Sequence, residues 1–278
     1  MTRQQIAAAL GETGVRRGSV LFVHSSLSSI GTVAGGASEA VAAIREVLGA
    51  AGTLAVPAFT FSHPGGPVFD PRRERSQMGA VSEEVRSLPE ARRSRHYLHS
   101  VAAAGPRSEE LTCRHGASAW AADGPFWQLF ELDADILLLG VPYTRCTQFH
   151  VVEQMVQVPY RQWVPVEAQV VEADGSRGSL PTSVYSPKKG FPGNDFNKFG
   201  RLLEGRGLVR KGRVGNAVCR LLRARDVLEV GVAEYRKDQY LFVKTGGCLT
   251  PLSDGVLVAE NGTERWVADP SQVYPADS

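Results

Sequence analysis

Two short apolar runs stand out along the chain, and polar groups hang on the exit of each. Residues 20–23 (Val-Leu-Phe-Val) and 136–139 (Ile-Leu-Leu-Leu) have strand length and no polar alternation, the pattern of strands covered on both faces. The first runs into His24-Ser-Ser-Leu-Ser-Ser-Ile-Gly31. The second runs through Gly140 toward Thr147-x-x-His150-x-x-Glu153.

Around these runs the pattern alternates between helix and strand. Residues 1–17 read as an amphipathic helix ended by Gly18, and Ser38 is a suitable N-cap for a helix through Leu48, with Glu39 at its positive end. Gly52 then breaks into a strand over 53–57. Strand, turn, helix, strand in this order predicts an α/β fold with sites at the loops beyond the strand ends. Residues 61–76 are loop-like (Pro64, Gly65, Gly66, Pro67, Pro71), and 78–86 form a short helix before Pro89. The polar segment 92–101 leads into the small-residue run 102–105. Residues 164–172 alternate as a strand and Asp174-Gly175 predicts a hairpin, which makes the sheet a mixed one. Residues 195–205 read as a helix closed by glycine, 227–234 as a segment of mixed character, and the tail as strand-like pieces with turns at Asp254-Gly255 and Asn261-Gly262.

At 278 residues the chain fits one large domain, or a core with a subdomain. Hydrophobic residues at 43% and charged residues at 22% are globular proportions, and no apolar stretch reaches the roughly 18 residues needed to span a bilayer. A soluble protein is expected. Met-Thr-Arg-Gln-Gln leads into a helical pattern without an apolar signal region, and Cys113, Cys146, Cys219 and Cys248 show no paired spacing, so a cytoplasmic location with reduced thiols is expected. A net charge of +2, from 31 basic and 29 acidic residues, argues against nucleic acid as a partner. Basic residues nevertheless crowd the region after 175, from Arg177, Lys188 and Lys189 to Arg206, Arg210, Lys211 and Arg213. This stretch suits either an anionic ligand or a solvated surface.

If the chain is helical from 148 onward, Thr147, His150 and Glu153 share roughly one face. A carboxylate one turn from a histidine fixes its tautomer and raises its basicity, as a general base for an amine or hydroxyl requires; a histidine merely satisfied by a helix partner fits the same spacing. The serine-rich turn after residue 24 offers N–H groups and hydroxyls for a phosphate or for the amides of a pantetheine arm, although no Walker or dinucleotide-binding fingerprint occurs. Arg93-Ser94-x-His96 with His99-Ser100 forms a further polar cluster, readable as a phosphate clamp or a solvated basic loop. Cys146 four residues before His150 admits a Cys/His nucleophile or ordinary helix packing. His150 and Glu153, even with His96 or His99, fall short of a specified metal site, and none is expected.

Several of these segments, taken together and in order, resemble the aminoglycoside 3-N-acetyltransferase family. They are His24-Ser-Ser-Leu-Ser-Ser-Ile-Gly31, Gly52-Thr-Leu-x-x-Pro-x-Phe-Thr60, Met78-Gly79, Arg93-Ser-x-His96 with Ser100-Val-Ala-Ala, Leu137-Leu-Leu-Gly140, Thr147-x-x-His150-x-x-Glu153, Pro159-Tyr-Arg161, Asp195-Phe196 and Val214-Gly215. The resemblance spans roughly residues 5 to 235. It implies acetyl transfer from acetyl-CoA to a primary amine, in a three-layer αβα fold with a central mixed sheet and a smaller C-terminal subdomain. The whole of 1–278 is then one acetyltransferase domain, with 160–278 contributing a substrate-side part. Carried over by position, His150 is the base and Glu153 orients it. Ser26, Leu27 and Ser28 contact the CoA arm, and Ser94, Ser100, Val101 and Ala102 line the same channel. Thr147 is inferred to hold the thioester carbonyl or developing oxyanion. His96, Tyr160, Arg161, Lys188, Lys189 and Asp195 are expected on the acceptor side.

The sequence departs from the family at His96-Tyr97, where His-Pro is usual, and at Asp123-Gly-Pro-Phe-Trp127, where Gly-x-Ser-Pro is usual. A polycationic aminoglycoside calls for several carboxylates, whereas Lys188, Lys189 and the stretch 206–213 favour an acidic or zwitterionic amine. An aminophosphonate or its nucleotide conjugate, used in antibiotic biosynthesis, therefore stands beside an aminoglycoside met in resistance. A CoA-binding protein without turnover is the alternative from another class. The expected partners are acetyl-CoA and a small amine, with no nucleic acid or membrane, and a homodimer is an allowed assembly.

Overall fold

The computed structural model describes residues 1–61, 68–247, 249–252, 256–260 and 263–267. In chain order, helix α1 (Arg3–Thr13) precedes strand β1 (Val20–Ser25), a four-residue helix α2 (Leu27–Ile30), α3 (Gly36–Leu48), β2 (Thr53–Pro57), β3 (Val68–Phe69) and α4 (Ala80–Arg86). Then come β4 (Arg92–Arg93), β5 (Val101–Ala104), α5 (Ser108–Thr112), α6 (Pro125–Glu131), β6 (Asp135–Leu139), a 3-10 turn (Tyr143–Arg145) and α7 (Phe149–Met155). The chain continues through β7 (Arg161–Val171), β8 (Arg177–Pro187), α8 (Phe196–Gly205), β9 (Arg210–Val214), β10 (Ala217–Arg223) and α9 (Ala224–Tyr235). A backbone hairpin of β11 (Val256–Glu260) and β12 (Thr263–Val267) follows.

Among the described residues, a seven-stranded sheet runs in the order β4-β5-β2-β1-β6-β10-β9. β1 pairs parallel with β2 and β6, while the outer pairs are antiparallel, so the sheet is mixed. Strand periodicity divides the core into two layers. Phe22, Ile136 and Leu138 face helices α6 to α9, and Leu21, Val23, Leu137 and Leu139 face α1, α3 and α4. That two-sided burial explains why 20–23 and 136–139 carry no polar alternation. Burying each such side chain contributes about 1.5–3 kcal/mol.

The sequence places most elements, with local differences. The first helix ends at Thr13 rather than residue 17, because Gly14 adopts the left-handed C-cap conformation and donates back to Gly11 and Leu10. Thr2 and Gln5 close its other end as a capping box. Ser38 is not the N-cap of α3; that helix starts at Gly36 after a left-handed Gly35, which places Ser38 in the first turn. The mixed segment 227–234 is the body of α9. The turns expected at Asp254-Gly255 and Asn261-Gly262, the loop residues Pro64 to Pro67, and Cys248 lie outside the described residues.

A smaller sheet stands beside the main one, with its long hairpin inside the expected 160–278 part. It has the order β3-β7-β8, with the Asp174-Gly175 turn joining its long hairpin and Phe69, Tyr97, Ala168, Val170 and Leu180 as its own core. Residues 196–235 return to the main layers, since β10 must pair with β6 to cover its otherwise open edge. Among the described residues no helix is long and apolar enough to cross a membrane.

Candidate active site

β1 and β6 lie side by side with Ser25 opposite Leu139, and the chain winds away from this pair in both directions across the sheet. The gap beyond such strand ends is where open α/β sheets bind ligands. Gly140 makes the exit possible: its φ is +69°, and a Cβ there would meet the Ser29 Cβ at 2.6 Å. The β1 exit and the β6 exit are therefore packed against each other.

On the β1 side, a chain of hydroxyls connects Ser29 to Ser26 at 2.8 Å and Ser26 to Ser28 at 3.1 Å, with Ser29 also donating to the Gly140 carbonyl at 3.0 Å. Ser26 and Leu27 are half-buried and Ser28 is exposed, so this turn presents both hydroxyl and apolar surface. On the β6 side, helix α7 begins two residues after Thr147 and carries His150 and Glu153 one turn apart. Thr147 Oγ1 lies 3.4 Å from His24 Nε2, a ring that burial holds down to a pKa of about 3.

His150 Nδ1 is 2.5 Å from Glu153 Oε2. Glu153 is completely buried, and three further groups converge on it. Arg161 Nε pairs with Oε2 at 2.9 Å, Tyr160 donates to Oε1 at 2.9 Å, and Asn194 Nδ2 donates to Oε1 at 2.5 Å. Arg161 also donates to Asn194 Oδ1 at 2.7 Å and to the Tyr185 carbonyl at 3.0 Å, which closes the ring of contacts. Burial alone would raise the carboxyl's pKa, but the charges and donors of His150, Arg161 and Tyr160 outweigh it and hold the group below its usual value. Glu153 is thus an anion that accepts a hydrogen bond from the Nδ1–H of His150. The tautomer assigned from this hydrogen bond leaves Nε2 of His150 as the free base.

The imidazole sits between the Trp120 ring at 4.9 Å and the edge-on Phe196 ring at 4.9 Å. Burial among these rings lowers its pKa below 6.5, against the opposing pull of Glu153, so it is neutral at pH 7. Its side chain retains 19% exposure.

Other expected site residues are placed differently. Tyr160 and Arg161 hold Glu153. Ser94 accepts from the Val101 N–H, Ser100 donates to the Ala58 carbonyl, and the Val101 and Ala102 side chains are inside the two core layers. Val101 and Ala102 are small because β5 is an interior strand of the sheet. His96 is buried, its Nδ1 accepting from Leu98 and His99, with a pKa held down to about 3 by burial. Asp195 is buried too and accepts from the Thr250 N–H and hydroxyl, which fastens the chain beyond α8. Lys188 and Lys189 are exposed; the Lys188 ammonium donates to the Pro159 carbonyl next to Tyr160. The basic stretch 206–213 lies toward the far sheet edge, where Arg206 pairs with Glu234 and Lys211 with Glu204.

Cys146 is fully buried and its thiol is pushed up to about 12, so almost none is thiolate at neutral pH and the nucleophile reading fails. Among the described residues no group of three or more His, Cys, Asp or Glu side chains is arranged to hold a metal ion. A cleft of about 630 Å³ with five arginines, among them Arg92 and Arg95, includes neither His150 nor Glu153. Its cations are engaged, Arg92 with Glu109 and Arg95 with Glu172, so the chemistry is not there. Asn194 was not foreseen; the only hint in the sequence is its place beside Asp195 in an otherwise turn-like Gly-Asn-Asp segment.

Comparisons with known proteins point the same way. The model of the aminoglycoside 3-N-acetyltransferase family matches residues 22–236. Aminoglycoside N(3)-acetyltransferase III of Salmonella sp. is 31% identical over 266 residues, covering 85% of this chain and 92% of that enzyme. The aminoglycoside acetyltransferase AAC(3)-IVa apoenzyme superposes with a TM-score of 0.75 at 29% identity, over 88% of this chain and 92% of its own. A histidine-to-alanine mutant of AAC(3)-IVa, solved with a gentamicin, gives a TM-score of 0.72 at 29% identity over the same shares of the two chains.

Proposed function

Because the chain belongs to the aminoglycoside 3-N-acetyltransferase family, we propose that it transfers an acetyl group from acetyl-CoA directly to a primary amine, with His150 as general base. The observation that carries this reading is the buried Glu153 carboxylate held by four donors, one of them His150 Nδ1. An amine at neutral pH is mostly ammonium and is not nucleophilic. A neutral imidazole with its Nδ1 proton committed to Glu153 takes a proton at Nε2 as the nitrogen attacks. The imidazolium so formed is stabilised by the carboxylate already in place. The saturated shell around Glu153 keeps that carboxylate from turning toward the ligand.

The serine turn suits the co-substrate: Ser26 and Ser28 offer hydroxyls and Leu27 an apolar side chain for an amide-rich pantetheine arm. When bound, acetyl-CoA supplies an acetyl group activated as a thioester. Thr147, beside neutral His24, is the side chain proposed to donate to the carbonyl oxygen. Holding both reactants at one site makes direct transfer favourable without an enzyme-bound acyl group, and the protonated, buried Cys146 offers no competing nucleophile.

The relatives' names, and the AAC(3)-IVa mutant solved with a gentamicin, support an aminoglycoside amine as acceptor in a resistance role. A second acceptor class, an acidic or zwitterionic amine such as an aminophosphonate or its nucleotide conjugate, is favoured by exposed Lys188 and Lys189 just beyond Tyr160. Acetyl-CoA consumption measured against a panel of both classes decides. Turnover of an aminoglycoside supports the first class, and turnover restricted to acidic amines supports the second. No turnover of any amine would return the chain to CoA binding alone.

A further inference from the structure

One strand in from the sheet edge, a second charged group is buried under the turn that leads into α7. Arg220, on β10, is 1% exposed and heads the fully buried side chains by volume among the described residues. Its guanidinium lies 5.2 Å from the centre of the Tyr143 ring, its Nη1 donates to the Val141 carbonyl at 3.3 Å, and its Nε is 3.5 Å from Glu204 Oε1. The Tyr143 hydroxyl donates to the same Glu204 oxygen at 2.8 Å, and Lys211 pairs with the other at 2.9 Å. A β10 residue facing this layer could have been apolar, since burying a charge pair is costly and often no more stabilising than a well-packed hydrophobic replacement. The network therefore calls for a role other than stability.

Its contacts identify one. Val141 and Tyr143 belong to the short connection between β6 and α7, and Cys146 continues it by donating its N–H to the Tyr143 carbonyl. The Tyr143 ring stacks on Phe149, the residue preceding His150, and Phe149 meets the edge of Phe196, whose ring in turn packs on the imidazole. Space for the tyrosine is reserved from α8, where a Cβ on Gly200 would come within 2.1 Å of the ring. Every link is a packed or hydrogen-bonded contact between an interior strand and the catalytic helix.

We propose that Tyr143, Glu204 and Arg220 form a positioning network that fixes the β6–α7 connection, and through it the placement of Thr147 and His150 for acetyl transfer. The proposal rests on His150 being the base. Tyr143 and Arg220 are fully buried, so the effect is expected on the chemical step and not on binding. Displacing a catalytic group by an ångström costs up to roughly a hundredfold in rate.

The test is Tyr143→Phe, which removes only the hydroxyl, assayed beside His150→Ala, with rates expressed per folded protein from circular dichroism. Expected is a kcat lower by roughly ten- to a hundredfold with KM unchanged for acetyl-CoA and amine alike. Glu204→Asp, which withdraws the carboxylate by one methylene, carries the same test with the same expected sign should the phenylalanine variant fold poorly. An unchanged kcat with only a lower Tm overturns the proposal, as does a change confined to KM. If Tyr143→Phe loses activity while His150→Ala turns over normally, the reading of His150 as base fails and the positioning proposal with it. If His150→Ala is inactive and Tyr143→Phe is normal, only the positioning proposal fails.

Discussion

Glu153 acts on His150 in two ways that can be separated experimentally. Its charge raises the imidazole pKa against the effect of burial, and its hydrogen bond fixes which nitrogen is free. With the net shift downward, the acid limb of kcat/KM for the wild type is expected to fall below pH 6.5, because activity is lost only as His150 becomes protonated. Glu153→Gln removes the opposing charge, so that limb should move to still lower pH while kcat falls; a limb that stays put would mean another group controls it. The i, i+3 spacing made this dyad legible in the sequence. The supports were not. Tyr160 and Arg161 were legible as neighbours of the site, but a sequence does not reveal that a guanidinium turns inward to a buried carboxylate, or that Asn194, 41 residues from Glu153, closes the ring. The backbone groups that Ser94, Ser100 and His96 satisfy were not legible either, since a polar residue between apolar neighbours carries no local mark of such partners.

At the scale of elements, the strands with the least polar sequence are those the site depends on. Leu137 is fully buried in the layer facing α1, α3 and α4, so Leu137→Ala is expected to cost about 2–5 kcal/mol in urea unfolding at constant m-value. A loss under 1 kcal/mol would mean that this layer is not the packed core described. Buried strands β1, β2 and β6 and the β7–β8 turn could be read from pattern, because apolar runs and an Asp-Gly pair are local signals. The place of the small sheet could not. Its strand β3 comes from 68–69 and its hairpin from 161–187, and pairings between such distant segments leave no local mark. Helix α9 escaped recognition because Gly231 and valines interrupt its pattern, although Gly231 fits where a Cβ would press on Val152 at 2.8 Å.

The molecule as a whole carries several histidines that it keeps uncharged. His24 and His96 are both held down to about 3 by burial, and His99 and His115 are lowered as well. The unfolded chain takes up protons near pH 6.5 that the folded state refuses, so their contribution to stability is complete above 6.5 and is lost as pH falls toward 3. His24 and His96 each add a slope of about 1.4 kcal/mol per pH unit inside that window. Urea midpoints should therefore fall between pH 7.5 and pH 5, with little change between 7.5 and 8.5; a midpoint flat across the acid range would show that these rings are not buried neutral. The same neutrality extends to His150, where the proposed role as general base requires it. The central claim is most directly tested by the turnover of a folded His150→Ala variant with acetyl-CoA and an accepted amine. A loss of about two to four orders of magnitude, with acetyl-CoA binding retained, is predicted; near-normal turnover would contradict the account.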